Sequence, residues 1–170
     1  MRKPKGSEVD AYRYELVACG NQLERRRHAA AVPRGNEVLL RVLAAGLCHT
    51  DLHLSDGYFN LGGGNRISLI ERGINLPHTL GHETVGEIMA MGPDVSGLSI
   101  GDRMLVYPWA GCDACELCTS EQGHLCHSPR FTGVFRPGGF GSHIVVSHPK
   151  YLFSLGGCLS WPPRRWHVQD

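Results

Sequence analysis

Long apolar runs are missing from this 170-residue chain. The most apolar stretch, Val38 to Leu47, is interrupted by Arg41 and falls far short of the ~20 residues that a membrane span needs, which excludes a membrane partner. Met1 to Gly20 carries basic residues with no apolar segment behind them, so no secretory signal is expected. An excess of either charge is missing too. With 17 Lys and Arg against 16 Asp and Glu, the net charge of +1 gives no electrostatic reason for nucleic acid as a partner. Repeats and low-complexity tracts are absent, and helical periodicity is scarce. These absences leave a cytoplasmic, single-domain protein whose partner is a small molecule.

Glycine is plentiful, with 22 residues spread between short apolar segments, a pattern that suits a β-rich domain with many turns. Strands are expected over Glu37–Ala45 ("EVLLRVLAA"), Thr84–Met91 ("TVGEIMAM"), Asp102–Tyr107 ("DRMLVY") and Ser142–Ser147 ("SHIVVS"), all rich in Val, Ile and Leu. Cys48 to Leu54 suits a short helical turn. Asp56 to Leu76, with "LGGGN" and "ERGINLP", has no periodicity and reads as a long loop. Two segments are out of character: "LERRRHAAAVPRG" (Leu23–Gly35), with four Arg and no strand pattern, and the tail from Gly156 to Asp170.

Four of the seven cysteines fall between Cys112 and Cys126, spaced C-x2-C-x2-C-x7-C. An odd total without a secretory signal argues against a disulfide framework. Soft thiolates at such intervals can wrap one zinc tetrahedrally, and four protein ligands leave no open position for a substrate. A set of buried thiols, or a redox pair of Cys115 and Cys118, is the alternative.

A second constellation is sparser. Cys48 opens "CHTDLH", and His82 follows 34 positions later in "LGHE". One thiolate, one imidazole and nearby carboxylates can hold a metal with fewer than four protein ligands, which is what a catalytic zinc requires. Taken alone, a single Cys is more often a small hydrophobe, and a single His near an apolar strand more often a satisfied core histidine.

In order and spacing, "CHTDLH", "GHE", "GDRMLVYP" and the four-cysteine lobe resemble the catalytic domain of the zinc-dependent medium-chain alcohol dehydrogenases, over roughly Glu37 to Leu155. The resemblance implies a mostly β fold with short helices: a GroES-like, partly open β-barrel over residues 1–155, with a zinc-binding lobe at 111–127. It implies an oxidoreductase that interconverts an alcohol with an aldehyde or ketone using NAD or NADP. Cys48 and His82 match ligands of the catalytic zinc, and Glu83 the acidic neighbour that enters its shell in some members. Asp51 matches the carboxylate that orients the histidine ligand, Thr50 the hydroxyl that bonds the alcohol, and His53 the outer histidine of the proton relay. His49 occupies the position that contacts the cofactor pyrophosphate. Cys112, Cys115, Cys118 and Cys126 match the structural zinc ligands. His78, His124, His127, His143 and His148 have no such match and read as surface or loop residues.

The sequence also departs from that family. No G-x-G-x-x-G stands between a strand and a helix; "GGFGSH" (Gly138–His143) lacks the third glycine and reads as a turn. A Rossmann domain is therefore missing, residues 156–170 form an atypical tail, and the expectation is a truncated, incomplete enzyme. The third catalytic ligand has one candidate, Cys158, in a context that does not match. The tail reads as sequence in a shifted frame, and Leu23–Gly35 as either that or a divergent exposed loop. The alternative function is a non-catalytic zinc-binding domain stabilised by its structural zinc. Family members usually pair through the cofactor domain, so oligomerisation stays open.

Overall fold

The computed structural model describes residues 11–29 and 31–155. Cys158 and the tail lie outside them. Strands dominate. The largest sheet has five antiparallel strands in the spatial order β10 (Leu152–Ser154), β8 (Arg103–Val106), β7 (Glu83–Met91), β3 (Val38–Gly46) and β9 (His143–Val146). Their sequences explain why. Val38 and Leu40, Thr84 and Ile88, Met104 and Val106, and Ile144 and Val146 alternate with more exposed neighbours and are all buried, so each strand turns one face to a common core. Four of the five strands fall within two residues of the sequence expectation.

A second sheet holds β2 (Glu24–His28), β1 (Ala11–Leu16) and the two-residue β6 (His78–Thr79), in that order. Residues 140–142 join the two sheets: the Tyr14 amide donates to the Phe140 carbonyl at 2.8 Å, and the Ser142 amide to the Tyr12 carbonyl at 2.9 Å. The sheets do not close, which gives the partly open barrel expected from the resemblance. Among the described residues, helix is confined to α1 (His49–Asp56), α2 (Glu116–Thr119) and two 3-10 turns. Among the described residues, no helix is long and apolar enough to cross a membrane.

Three readings need correction. Leu23–Gly35 contains β2, paired residue for residue with β1. Its sequence, Glu-Arg-Arg-Arg-His, has no apolar alternation because it is an edge strand with exposed side chains, so hydrophobic periodicity cannot mark it. Asp56–Leu76 is not wholly a loop: β4 (Tyr58–Gly62) and β5 (Asn65–Ser68) form a hairpin whose tip is the glycine run. His78 is buried in β6, and His143 lies half-buried in β9, rather than on the surface. His78 stands opposite Leu16 in the β1–β6 ladder, and Leu16 and the nearby Leu80 are both buried, so sequence distance hides its surroundings.

The turn that leads from β6 into β7 is gripped by the glycine-rich stretch before β9. Gly138, Gly139 and Phe140 donate their amides to the carbonyls of Thr79, Gly81 and Leu80 at 2.8, 2.8 and 3.0 Å. "GGFGSH" is thus a packing element against "LGHE". Gly81 has φ +94, and a Cβ there would stand 2.5 Å from Cδ1 of Phe140 and 2.9 Å from its backbone nitrogen. Gly81→Ala is expected to lower the unfolding free energy by about 2–3 kcal/mol, combining left-handed strain with overpacking. Gly64, at φ +84 with nothing within 4 Å, supplies the control: Gly64→Ala should cost only about 1 kcal/mol. Urea denaturation of both variants checks this, and equal losses would show that crowding at Gly81 contributes nothing.

Candidate metal centres and the adjoining cavity

The antiparallel pairing of β3 with β7 closes the gap between Cys48 and His82. Gly46 stands opposite Glu83, so the chain leaving β3 and the chain entering β7 meet at one end of the sheet. There the ligand atoms of Cys48, His82 and Glu83 all lie within 4.8 Å of one another. Glu83 folds over Gly46, where a Cβ would come within 2.3 Å of its Oε2. A side chain at position 46 would displace the Glu83 carboxylate from this place.

Asp51, 1% exposed, holds the arrangement. As the third residue of α1, it reaches back so that Oδ2 accepts the Cys48 amide at 3.0 Å. Its Oδ1 accepts the Gly81 amide at 3.0 Å and lies 3.5 Å from Nδ1 of His82. That contact is too long and poorly aligned for a good hydrogen bond, and Nδ1 of His82 has no other partner. The ring therefore presents Nδ1 to the carboxylate, which leaves Nε2 as the atom for a ligand.

Thr50 and His82 both line a cavity of about 310 Å³. Its remaining walls are largely apolar, with Phe59, Leu69, Ile74, Trp109, Phe131 and Phe135 among them. Thr50 Oγ1 is 3.8 Å from the Cys48 sulfur. His49 and His53, one turn apart on α1, form a ring pair at 4.7 Å, and His53 meets Phe59 edge-on at 5.0 Å. Thus Cys48, Thr50, Asp51, His82 and Glu83 gather at one place, with His53 behind a cavity wall and His49 on the exposed side. Arg72, at the same cavity, escaped sequence reasoning because its loop has neither periodicity nor motif.

In the lobe, the four cysteine sulfurs lie within 4.8 Å of one another. Three of their separations are 3.5, 3.7 and 3.9 Å, for Cys115–Cys118, Cys115–Cys126 and Cys112–Cys118. Four sulfurs at about 2.3 Å from one tetrahedral zinc would stand ~3.8 Å apart, whereas a disulfide needs about 2.05 Å. The donor set and its spacing therefore fit a single zinc. The amides of Cys112 and Ser128 both point at the Cys126 sulfur at 3.4 Å, as suits a thiolate. Backbone hydrogen bonds from Ala114 and Cys115 hold the Cys112 thiol down to about 6. For Cys115, the Cys118 amide is outweighed by the neighbouring thiols and burial, which push it up to about 11.

The lobe is fastened to the barrel through Asp113. The Tyr151 hydroxyl donates to Asp113 at 2.6 Å and accepts the Gly111 amide at 3.1 Å, while Lys150 pairs with Asp113 at 2.8 Å. Partial burial opposes the charge on Asp113, but the Lys150 ammonium and the Tyr151 hydroxyl outweigh it and hold the carboxyl below its ordinary value.

The family described as the alcohol dehydrogenase GroES-like domain matches residues 34–156. A NAD-dependent alcohol dehydrogenase from Saccharolobus solfataricus is 39% identical over 140 residues, 82% of this chain and 39% of the relative. The D-arabinose dehydrogenase from Sulfolobus solfataricus superposes with a TM-score of 0.70 at 28% identity, covering 91% of this chain and 42% of that structure. A thermostable alcohol dehydrogenase from Pyrobaculum aerophilum gives 0.67 at 25% identity, covering 85% and 40%. The chain spans about two fifths of the length of the curated relatives it matches.

Replacing Asp51 by Asn would set an amide NH2 against one of the two backbone donors. Asp51→Asn is therefore expected to lower stability by about 1–3 kcal/mol, read by urea denaturation. A change below about 0.5 kcal/mol, the scale of an ordinary surface substitution, would refute the fastening role.

Proposed function

The chain belongs to the alcohol dehydrogenase GroES-like domain family, and from that premise we propose that it is the metal-holding, substrate-binding part of an NAD- or NADP-dependent alcohol dehydrogenase. The observation that carries this reading is the convergence of Cys48, His82 and Glu83 beside an apolar cavity. Three protein ligands are what a catalytic zinc with an open position takes, and four thiolates are what a structural zinc takes.

When bound, zinc supplies Lewis acidity that makes an alcohol lose its proton near neutral pH. The chain's own residues do the rest. Asp51, held by the Cys48 and Gly81 amides, stands 3.5 Å from Nδ1 of His82, on the side of the ring away from Nε2. Thr50 offers a hydroxyl on the cavity wall that accepts or donates a hydrogen bond to an alcohol oxygen. His53, partly exposed one turn from His49 on the same face of α1, would exchange a proton with solvent, and the exposed His49 would face the cofactor. The aromatic walls exclude water and admit the apolar body of the substrate, an alcohol, aldehyde or ketone. Cys112, Cys115, Cys118 and Cys126 would hold a structural zinc, and the segments that flank their lobe pair through the Arg130–Ala110 and Thr132–Pro108 backbone hydrogen bonds, beside the Trp109–Phe131 ring contact in the cavity wall. The compartment that suits this chemistry is the cytoplasm, and the nicotinamide would be held by a portion of the relatives' length that this chain does not span.

Metal analysis of the zinc-saturated, dialysed protein tests the reading. Two zinc per chain are expected, falling to one in Cys48→Ala, with the fold retained by circular dichroism. One zinc in the unaltered chain would instead favour a non-catalytic domain built on its structural metal. The lobe also makes a pH prediction. Above about 6 the Cys112 thiol is already ionised, and below it a proton must be displaced there too. In Cys48→Ala, which keeps the lobe's zinc alone, proton release on zinc binding should therefore rise by about one as pH falls from 7.5 to 5. Calorimetry in buffers of differing ionisation heat measures this, and a constant proton count would contradict the assignment to Cys112.

A further inference from the structure

The cavity beside Cys48 and His82 contains one permanently charged group, Arg72. It belongs to the irregular segment between β5 and β6 and is exposed, so it stands at the mouth of the cavity rather than deep inside. Among the described residues no ion pair or side-chain hydrogen bond engages its guanidinium. Exposed Arg34, Arg103 and Arg130 are likewise without a side-chain partner among the described residues, but Arg72 is the arginine that lines this cavity. Glu71 is its sequence neighbour but makes no pair with it.

We propose that Arg72 selects substrates in which the alcohol or carbonyl group is joined through an apolar, preferably aromatic, body to a terminal carboxylate. This rests on the preceding assignment of the cavity to the substrate. The chemistry follows from the lining. Thr50 and His82 are the polar groups where the reacting oxygen would sit, and Phe59, Ile74, Phe131 and Phe135 suit an apolar middle. An unpaired guanidinium beside such a low-dielectric wall attracts an anion more strongly than the same group on an open surface. Its planar fork also matches a carboxylate through two parallel hydrogen bonds, which an ammonium does not reproduce. At about 310 Å³, the cavity lies at the small end of ligand sites, the size of a single substituted ring.

Arg72 makes no claim on the reacting atoms; it is a specificity-determining residue. The probes are 4-(hydroxymethyl)benzoate and its neutral counterpart 4-(hydroxymethyl)benzamide, titrated calorimetrically into the zinc-loaded chain. The carboxylate is expected to bind about tenfold more tightly, with that margin shrinking at high salt. Arg72→Gln should remove the margin by weakening the carboxylate alone, and Arg72→Lys should restore part of it. Equal affinities in the unaltered chain, a margin that survives Arg72→Gln, or no binding of the carboxylate would each overturn the proposal. Cys48→Ala separates this from the metal assignment. It should weaken both probes together and leave their ratio unchanged, whereas a preserved ratio with no weakening of either would sink the metal reading and leave Arg72 in place.

Discussion

A single buried carboxylate ties the candidate catalytic site to the fold. Asp51 accepts one amide from the start of α1 and another from the turn before β7, and it faces the ring of His82 between them. A carboxylate so withdrawn from water is tolerated only when its oxygens are satisfied. That condition forces the helix and the turn together, and with them Cys48 and His82. The β3–β7 ladder supplies coarse proximity; Asp51 sets the fine placement. Neither would suffice alone, since strand pairing fixes register but not the direction of side chains beyond the sheet.

Much of this was legible in the sequence because the informative signals were local. Alternating apolar residues marked β3, β7, β8 and β9, and cysteine spacing marked the lobe. The resemblance to a known family then named Asp51, Thr50 and Glu83. What escaped reading had no local signal. β2 is visible only through its partner, since five polar residues form a strand solely because β1 offers a ladder. His78 was misplaced because burial of a polar residue depends on neighbours far away in the chain. Arg72, and the contact of "GGFGSH" with "LGHE", likewise depend on tertiary packing, which spacing does not encode.

The two candidate metal centres differ in how they are held. In the lobe, short-range chain geometry does most of the work: four thiols within fifteen positions, backbone amides aimed at sulfur, and one external fastening through Asp113 and Tyr151. The other centre is assembled from distant segments and depends on the barrel, the Gly81 turn and the grip of residues 138–140. A lobe of the first kind can form early and locally. A centre of the second kind exists only once the long-range pairings are complete.

The edge strand β2 has a meaning of its own. An open sheet presents unpaired backbone groups that invite other chains, and the usual protection is charge. Arg25, Arg26 and Arg27 stand along that edge, with Arg25 lying over the ring of Tyr12 at 4.2 Å. Their side chains alternate between the two faces of the strand, so both faces of that edge are polar. The segment that looked least like part of the fold is thus, among the described residues, the charged outer strand of its sheet, the kind of edge on which another strand is least readily added.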